Sequence, residues 1–309
     1  MAGNQNGNPC LTYLRITAMA IWTYEESKAA ESTKSLGEQC SVRVCPYCGA
    51  LIQRIALSCD HGSWFPEGNV DDYYGNFCSD VAQLQACLVC GWWVSTLING
   101  RGPWKQHDDG FLNMYRSCGT LRDLDLNDIS TPLEEVRAYL TAKYGDRFHV
   151  HPKKYEDIVG SVFSDFGFRV RVTSYSGDDG IDAMVLDGKD DAVVGIQVKR
   201  QREKITAEQI RAFVGALVLK GLTAGVYVTT SSYQIGAKRA ANSAERLPGI
   251  AISLLDSQRF YDALKITSRT TFVDPSDASS PYFRCWKEMS RQYIADTHVD
   301  APLVYTAAW

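Results

Sequence analysis

Two CxxC-Gly segments constrain the first half of the chain more than any other feature. One contains Cys45 and Cys48, and the other contains Cys87 and Cys90. A two-residue gap followed by glycine lets one short loop present two sulfurs and its backbone amides to a metal, and tetrahedral Zn²⁺ takes four thiolates. The pattern therefore predicts that these four cysteines bind one structural zinc ion. Buried or redox-active thiols are the alternative.

Between the two segments lie further residues that could bind a metal, Cys59, His61 and Cys78. They leave room for a second metal or for an exchange of ligands, and the sequence does not decide their role. The remaining cysteines are interpreted as ordinary thiols: Cys10, Cys40, Cys118 and Cys285.

Charge and targeting signals narrow the class of protein. The net charge of −4 argues against a protein that coats nucleic acid by bulk positive charge. Residues 151–273 contain 17 Lys and Arg against 14 Asp and Glu, whereas residues 1–150 contain 12 Lys and Arg against 17 Asp and Glu. The second half of the chain is therefore the better candidate for binding phosphate groups. The N-terminus lacks the pattern of a secretory signal, and the apolar stretch at residues 11–22 is too short to span a bilayer. We expect a cytoplasmic protein with no membrane contact.

From residue 151 onward the apolar pattern becomes regular. Helical spacing over residues 155–166 precedes three short strand-like runs, and then helices and strands alternate in the order αβββαβαβα. Thr206 and Gln209 form a capping box that opens one of these helices. An earlier helix is predicted from Pro132 to about Tyr144, with a hydroxyl cap before it. The fold class is therefore α/β (α+β), a mixed sheet flanked by helices.

Five positions of this region suit phosphodiester hydrolysis. Asp182 follows a tight turn and enters a strand, while Gln197 and Lys199 end the next strand on one shared face. Mg²⁺ prefers oxygen ligands, which the Asp182 carboxylate, the Gln197 side chain and the Val198 carbonyl can supply. Lys199 can hold the attacking water or offset charge on the phosphate. Glu156 shares the apolar stripe of its helix and could complete the metal site.

Each of these residues also has an ordinary structural interpretation. Asp182 alone fits a turn, Lys199 a solvated strand end, and Glu156 an acid favoured by the helix dipole. Their order along the chain favours the catalytic interpretation: an acid on a helix comes first, an aspartate at a turn follows, and a Gln-x-Lys strand comes last. We expect the side chains to lie at a sheet edge outside the apolar core, so that replacing them changes stability little.

Four ordered motifs in about residues 152–264 resemble the Mrr-type restriction endonucleases. They are HPKKYE at 151–156, GDDGID at 177–182, QVKR at 197–200, and YVTT at 227–230 followed by Ala237 and Ala240. The resemblance implies a PD-(D/E)xK fold, Mg²⁺-dependent DNA cleavage of the type IV, Mrr-like kind, and glutamine in place of the usual second acid. Asp179 departs from the family, which often has glycine there, but it leaves Asp182 in place.

The cysteine-rich region is similar to a zinc ribbon with an insertion, a fold that binds nucleic acid or protein. We divide the chain into an N-terminal segment (1–40), a zinc-ribbon-like domain (41–118), a helical linker (119–150), an Mrr-type nuclease domain (151–270) and a C-terminal segment (271–309). The excess of acidic residues in the first half favours binding to a protein partner, or recognition of modified or damaged DNA, over general DNA binding.

Basic residues near the strand ends are candidates for phosphate contacts. They are Arg200, Arg202, Lys238 and Arg239, and ordinary surface charge is an equally good interpretation. The leading hypothesis is a DNA endonuclease of a restriction or antiviral defence system that acts as a homodimer or higher oligomer, because one site cuts one strand. The alternative is a nucleic-acid-binding or scaffold protein with a zinc ribbon and a non-cleaving nuclease fold.

Overall fold

The chain forms two compact units. The structure, a computed structural model, describes residues 21–32, 42–64, 76–103, 111–173, 180–244 and 250–269, with only the backbone described along much of strands β1 to β5. The first unit comprises the described residues up to Asp123, and the second comprises Leu124–Arg269. Among the described residues, none of the helices combines the length and the apolar character needed to cross a membrane.

The first unit is an antiparallel five-stranded sheet. Its strands are β1 (Trp22–Ser32), β2 (Gln53–Trp64), β3 (Asn76–Ala86), β4 (Trp93–Pro103) and β5 (Phe111–Leu121). They lie in the order β1-β5-β4-β3-β2. One CxxC-Gly segment precedes β2, and the other forms the connection between β3 and β4, because Ala86 pairs with Trp93 across it.

The second unit is the mixed sheet with helices that the apolar pattern predicts. Its helices are α1 (Leu133–Ala142), a 3₁₀ helix (Tyr144–His149), α2 (Pro152–Asp165), α3 (Ala207–Leu219), α4 (Ile235–Ala244) and α5 (Ser257–Ser268). Its strands are β6 (Arg169–Val172), β7 (Ala183–Leu186), β8 (Ala192–Lys199), β9 (Ala224–Thr229) and β10 (Ala251–Leu255). The predicted order αβββαβαβα and the predicted fold class are confirmed.

The strand order β10-β9-β8-β7-β6 places β8 at the centre of this sheet. The strands β6, β7 and β8 are antiparallel, while β8, β9 and β10 are parallel. Antiparallel neighbours can follow each other through short turns, but parallel neighbours need a crossover, which α3 and α4 supply. The carboxyl ends of β8 and β9 therefore lie at the same edge of the sheet.

Two helix starts were predicted, with different outcomes. The capping box is present: the Thr206 hydroxyl accepts from the Gln209 N–H at 3.5 Å, and the Gln209 side chain accepts from the Thr206 N–H at 3.0 Å. The prediction of a hydroxyl cap before α1 is wrong, because Pro132 is the cap residue and no side chain caps the helix. The Thr131 hydroxyl instead donates to the Asp125 carbonyl at 2.9 Å.

Helix α3 packs directly on the backbone of β8 and β9. A Cβ added at Gly195 would lie 2.7 Å from Leu217, and one added at Gly225 would lie 2.6 Å from Leu217 and 2.7 Å from Phe213. Gly195 and Gly225 pair across the two strands, so together they form a flat strip under the helix. Glycine is required at both positions because no side chain fits beneath α3.

Replacing Gly225 with alanine should therefore destabilise the protein by about 1–3 kcal/mol, because the new methyl group overpacks against α3. Gly215→Ala is the matched control, since Gly215 lies in α3 with open space around it and should gain about 0.4–1 kcal/mol. Urea unfolding of the full chain measures both free energies. Equal stability of the two variants would contradict the close packing of α3.

Candidate active site and cysteine cluster

Strands β7 and β8 separate at Asp182. The last pair of their ladder joins Ala183 to Ile196, and the Asp182 N–H donates to the Ile196 carbonyl at 2.8 Å. One step further, the Asp182 Oδ2 accepts from the Val198 N–H at 2.6 Å. The carboxylate thus occupies the place where a β7 carbonyl would continue the ladder. Asp182 is buried, with 8% of its surface exposed.

The residue of β8 that contacts this carboxylate, Val198, lies between Gln197 and Lys199. The N–H and C=O of one strand residue point to the same side, so the Val198 carbonyl points from β8 toward the Asp182 side. Gln197 is half-buried, and its amide nitrogen lies 3.8 Å from the position of a Cβ on Gly180. Lys199 is exposed, and within the described part of the chain its ammonium has no hydrogen-bond partner. The Val198 backbone at the end of β8 therefore lies beside Asp182, and the Gln197 side chain lies near Gly180.

Glu156 joins this region through Lys153 and Thr173. The Lys153 ammonium contacts the Glu156 carboxylate at 2.9 Å and donates to the Thr173 carbonyl at 2.6 Å. The Thr173 N–H and hydroxyl both donate to the Asp182 carbonyl, at 2.9 and 2.8 Å. Glu156 is thus linked to the Asp182 backbone by hydrogen bonds through Lys153 and Thr173, and Lys153 balances its charge.

The sequence interpretation missed the roles of Lys153 and Thr173. Lys153 and Glu156 are three residues apart on α2, which is a spacing that brings side chains together and was available as a signal. Thr173 carried no signal, because only the pairing of β6 with β7 brings it to Asp182. Residues 177–179 of the preceding turn, including Asp179, lie outside the described residues.

The charge of Asp182 acts on the neighbouring strand. Burial is the main cause that raises the pKa of Tyr227 to about 12, and the negative charge of Asp182 adds to it. Tyr227 pairs with Gln197 across β8 and β9, and its ring lies edge-on to Phe213 of α3. The carboxylate therefore lies next to a tyrosine that stays neutral at physiological pH.

The four predicted phosphate-binding residues lie in two separate places. Arg200 and Arg202 follow the end of β8, where the Arg200 guanidinium donates to the Phe148 carbonyl. Lys238 and Arg239 lie on the exposed side of α4. No hydrogen bond or ion pair among the described residues joins the second pair to the first.

The sulfurs of Cys45, Cys48, Cys87 and Cys90 form a compact group, here called the cysteine cluster. All four Sγ atoms lie within 4.8 Å of one another, and all four residues are buried. The Cys45 and Cys90 sulfurs are 3.5 Å apart, and the Cys48 and Cys87 sulfurs are 3.4 Å apart. The cluster could hold a metal ion and is compatible with a zinc-binding module.

The two loops that form the cluster have the same backbone geometry. The Gly49 N–H donates to the Cys45 carbonyl at 3.1 Å, and the Gly91 N–H donates to the Cys87 carbonyl at 2.9 Å. Both glycines have positive φ, +72° and +78°, a conformation that L side chains disfavour. The glycine of each CxxC-Gly segment is therefore required by the turn that brings two sulfurs together.

The thiols perturb one another strongly. Hydrogen bonds from Cys45 and Cys48 lower the pKa of Cys87, while hydrogen bonds with the same two thiols raise the pKa of Cys90. Such opposed shifts arise because four neighbouring sulfurs cannot all be ionised without a cation. Cys59, His61 and Cys78 lie on β2 and β3, but their side chains are outside the described residues.

One protein family matches most of the second unit in sequence. Residues 149–264 match the Mrr_cat family, described as restriction endonuclease. The resemblance to the Mrr-type family is confirmed for this segment. No curated protein matches the chain significantly. A solved structure, the MspJI restriction endonuclease in complex with a 27-mer oligonucleotide, is similar over 80% of this chain and 64% of its own, with 13% identity and a TM-score of 0.32. This likeness is too weak to bear on fold or function.

The burial of Asp182 corrects the expectation that its replacement changes stability little. Asp182→Ala leaves the buried Val198 N–H without a partner, which should cost about 1–3 kcal/mol. Asp182→Asn keeps an oxygen acceptor and should cost less. Thermal unfolding of the two variants beside the wild type measures the difference, and equal midpoints for all three proteins would argue against the hydrogen bond.

Proposed function

We propose that this protein is a metal-dependent DNA endonuclease of a restriction or antiviral defence system. One observation carries the proposal. Within the segment that matches the restriction endonuclease family, the Asp182 carboxylate is bonded to the backbone of β8 between Gln197 and Lys199. The proposed site would combine this carboxylate with neutral oxygen ligands and an ammonium group from three consecutive residues of β8.

The oxygen donors fit Mg²⁺, which would be held by the Asp182 carboxylate, the Gln197 side-chain oxygen and the Val198 carbonyl. A carboxylate has about four acceptor positions, so the Val198 N–H does not exhaust Asp182. The metal would neutralise phosphate charge and lower the pKa of its bound water. Glu156 would add a second or outer position, where Lys153 balances its charge.

Lys199 would act on the phosphate and the water that attacks it. Its ammonium is exposed one residue beyond Val198, and it has no partner among the described residues that would hold it elsewhere. A compact cation so placed can orient the water or offset negative charge that develops on the scissile phosphate. We further propose a homodimer or higher oligomer as the active form, because duplex cleavage needs two such sites.

The cysteine cluster would bind structural Zn²⁺ and form a recognition or assembly module. Zn–S bonds of about 2.3 Å in a tetrahedron place sulfurs about 3.8 Å apart, and the four Sγ atoms are grouped at that scale. Thiolate ligands persist in a reducing compartment, which supports a cytoplasmic location. A protein partner would bind through this module, while DNA would bind the nuclease domain.

Asp182→Asn and Lys199→Gln should each reduce Mg²⁺-dependent cleavage by a factor of about a hundred or more, because each removes a charge that acts on the reacting phosphate. Glu156→Gln should weaken cleavage less, and added Mg²⁺ should partly restore the cleavage rate of this variant. Lys204→Gln is the control, since it removes an exposed lysine from the loop after β8.

Plasmid nicking by the purified full chain, with and without EDTA, measures these rates. Near wild-type cleavage by the Asp182 or Lys199 variant would refute the assignment. Wild-type protein that binds DNA and never cuts it would favour the non-cleaving scaffold.

The purified chain should contain about one zinc ion, because the cysteine cluster supplies one set of four ligands. Cys45→Ser and Cys90→Ser should each lose most of it, while Cys118→Ser, outside the cluster, should retain it. Elemental analysis after purification without chelators makes the measurement. Zinc-free wild-type protein, or equal zinc in all variants, would exclude this site.

A further inference from the structure

Three arginines converge on one phenylalanine beside the end of β8. The Arg147 guanidinium carbon lies 4.2 Å from the centroid of the Phe148 ring, and that of Arg202 lies 4.6 Å from it. The Arg200 guanidinium donates to the Phe148 carbonyl. Arg147, Arg200 and Arg202 are here called the arginine cluster. Arg147 and Phe148 precede the segment that matches the nuclease family.

Hydrogen bonds tie the cluster to the strand that carries Lys199. The Arg147 Nε donates to the Thr230 carbonyl at 2.8 Å, and the Thr230 N–H donates to the Lys199 carbonyl at 3.2 Å. Arg200 directly follows Lys199 in sequence. The 3₁₀ helix and the ends of β8 and β9 therefore hold the guanidinium groups within a few residues of the candidate active site.

The described residues supply no negative charge that pairs with the arginine cluster. Within the described part of the chain, none of the three guanidinium groups forms an ion pair, and Arg147 donates only to neutral carbonyls. Glu203 follows Arg202 but forms no ion pair with it. The Nε of Arg200 is buried and has no hydrogen-bond partner among the described residues. Three cations held around one residue without a counter-charge among the described residues repel one another, and anions bound beside them would relieve that repulsion.

The chemistry of the cluster selects the kind of anion. Arginine presents several donors in a planar fork that matches phosphate oxygens, and stacking on an aromatic ring holds the fork in place. Because two guanidinium groups already lie over the Phe148 ring, that ring is not open for stacking on a base. The ligand is therefore a phosphate group and not a nucleobase.

We infer that the arginine cluster binds backbone phosphates of DNA close to the phosphate that is cut. The location relative to the cut rests on the proposed function, but phosphate binding does not. Consecutive phosphates of one strand advance about 3.4 Å along the helix axis, so a group that neighbours Lys199 can meet a phosphate near the scissile one. Such a contact positions DNA and carries no sequence information.

The test compares DNA binding by charge-neutralising variants. In an Asp182→Asn background, which should slow cleavage about a hundredfold or more, Arg202→Gln and the triple variant Arg147→Gln, Arg200→Gln, Arg202→Gln are titrated with fluorescent duplexes at several salt concentrations. The slope of log affinity against log salt is negative, and each lost phosphate contact should reduce its magnitude by about 0.9. Affinity should fall about tenfold or more in the triple variant, equally for duplexes of unrelated sequence.

Arg211→Gln is the matched control, because Arg211 is exposed on α3 and lies 3.9 Å from Glu208. It should keep the wild-type affinity and salt slope. Arg202 is exposed, so Arg202→Gln carries the test by itself if the triple variant fails to fold. Thermal unfolding of every variant identifies such a failure.

The outcomes separate this inference from the proposed nuclease activity. Wild-type slope and affinity in Arg202→Gln, and in the triple variant where it folds, would overturn the inference even if the wild type cuts DNA. A wild type that never cuts, with reduced slopes in the variants, would overturn the nuclease activity alone. If inorganic phosphate protects the wild type against thermal unfolding while DNA slopes stay equal, the cluster binds free phosphate and the DNA inference is wrong.

Discussion

The hydrogen bond from the Val198 N–H to the Asp182 carboxylate is the interaction on which the candidate active site depends. A buried carboxylate is costly unless hydrogen-bond donors satisfy it, and a buried N–H is costly without an acceptor. Each group satisfies the other at the point where β7 and β8 separate. The same bond fixes the end of β8 at Val198, the residue between Gln197 and Lys199.

The position of β8 depends in turn on how α3 packs. Gly195 and Gly225 let the helix lie on the backbone of two adjacent parallel strands, and Leu217 fills the space above both. Parallel strands end at a common edge, where ligands of open α/β sheets usually bind. Lys199 and Thr230 meet at this edge, and Arg147 reaches it through the Thr230 carbonyl. The packing of α3 on the sheet face therefore helps to fix the residues of the candidate site at the sheet edge.

Both the cysteine cluster and the arginine cluster bring together groups that would repel one another when charged. In the cysteine cluster, neighbouring thiols move the pKa values of Cys87 and Cys90 in opposite directions, because the sulfurs cannot all be ionised without a cation. In the arginine cluster, three guanidinium groups have no carboxylate partner among the described residues. The first arrangement favours a metal ion and the second a phosphate.

The sequence alone determined the helix and strand order of the second unit, the pairing of two CxxC-Gly loops, and the strand that carries Gln197 and Lys199. These features depend on periodicity, turn chemistry and strand alternation, which are local. Only the tertiary structure decided that Asp182 is buried, that Lys153 and Thr173 connect Glu156 to it, and that Arg147 and Phe148 join Arg200 and Arg202. The hydroxyl cap expected before Pro132 failed because Thr131 found a carbonyl acceptor outside the helix. Each of these contacts links residues that are distant in sequence or that lie in neighbouring loops. Only the packing of strands and helices brings such residues within hydrogen-bonding distance.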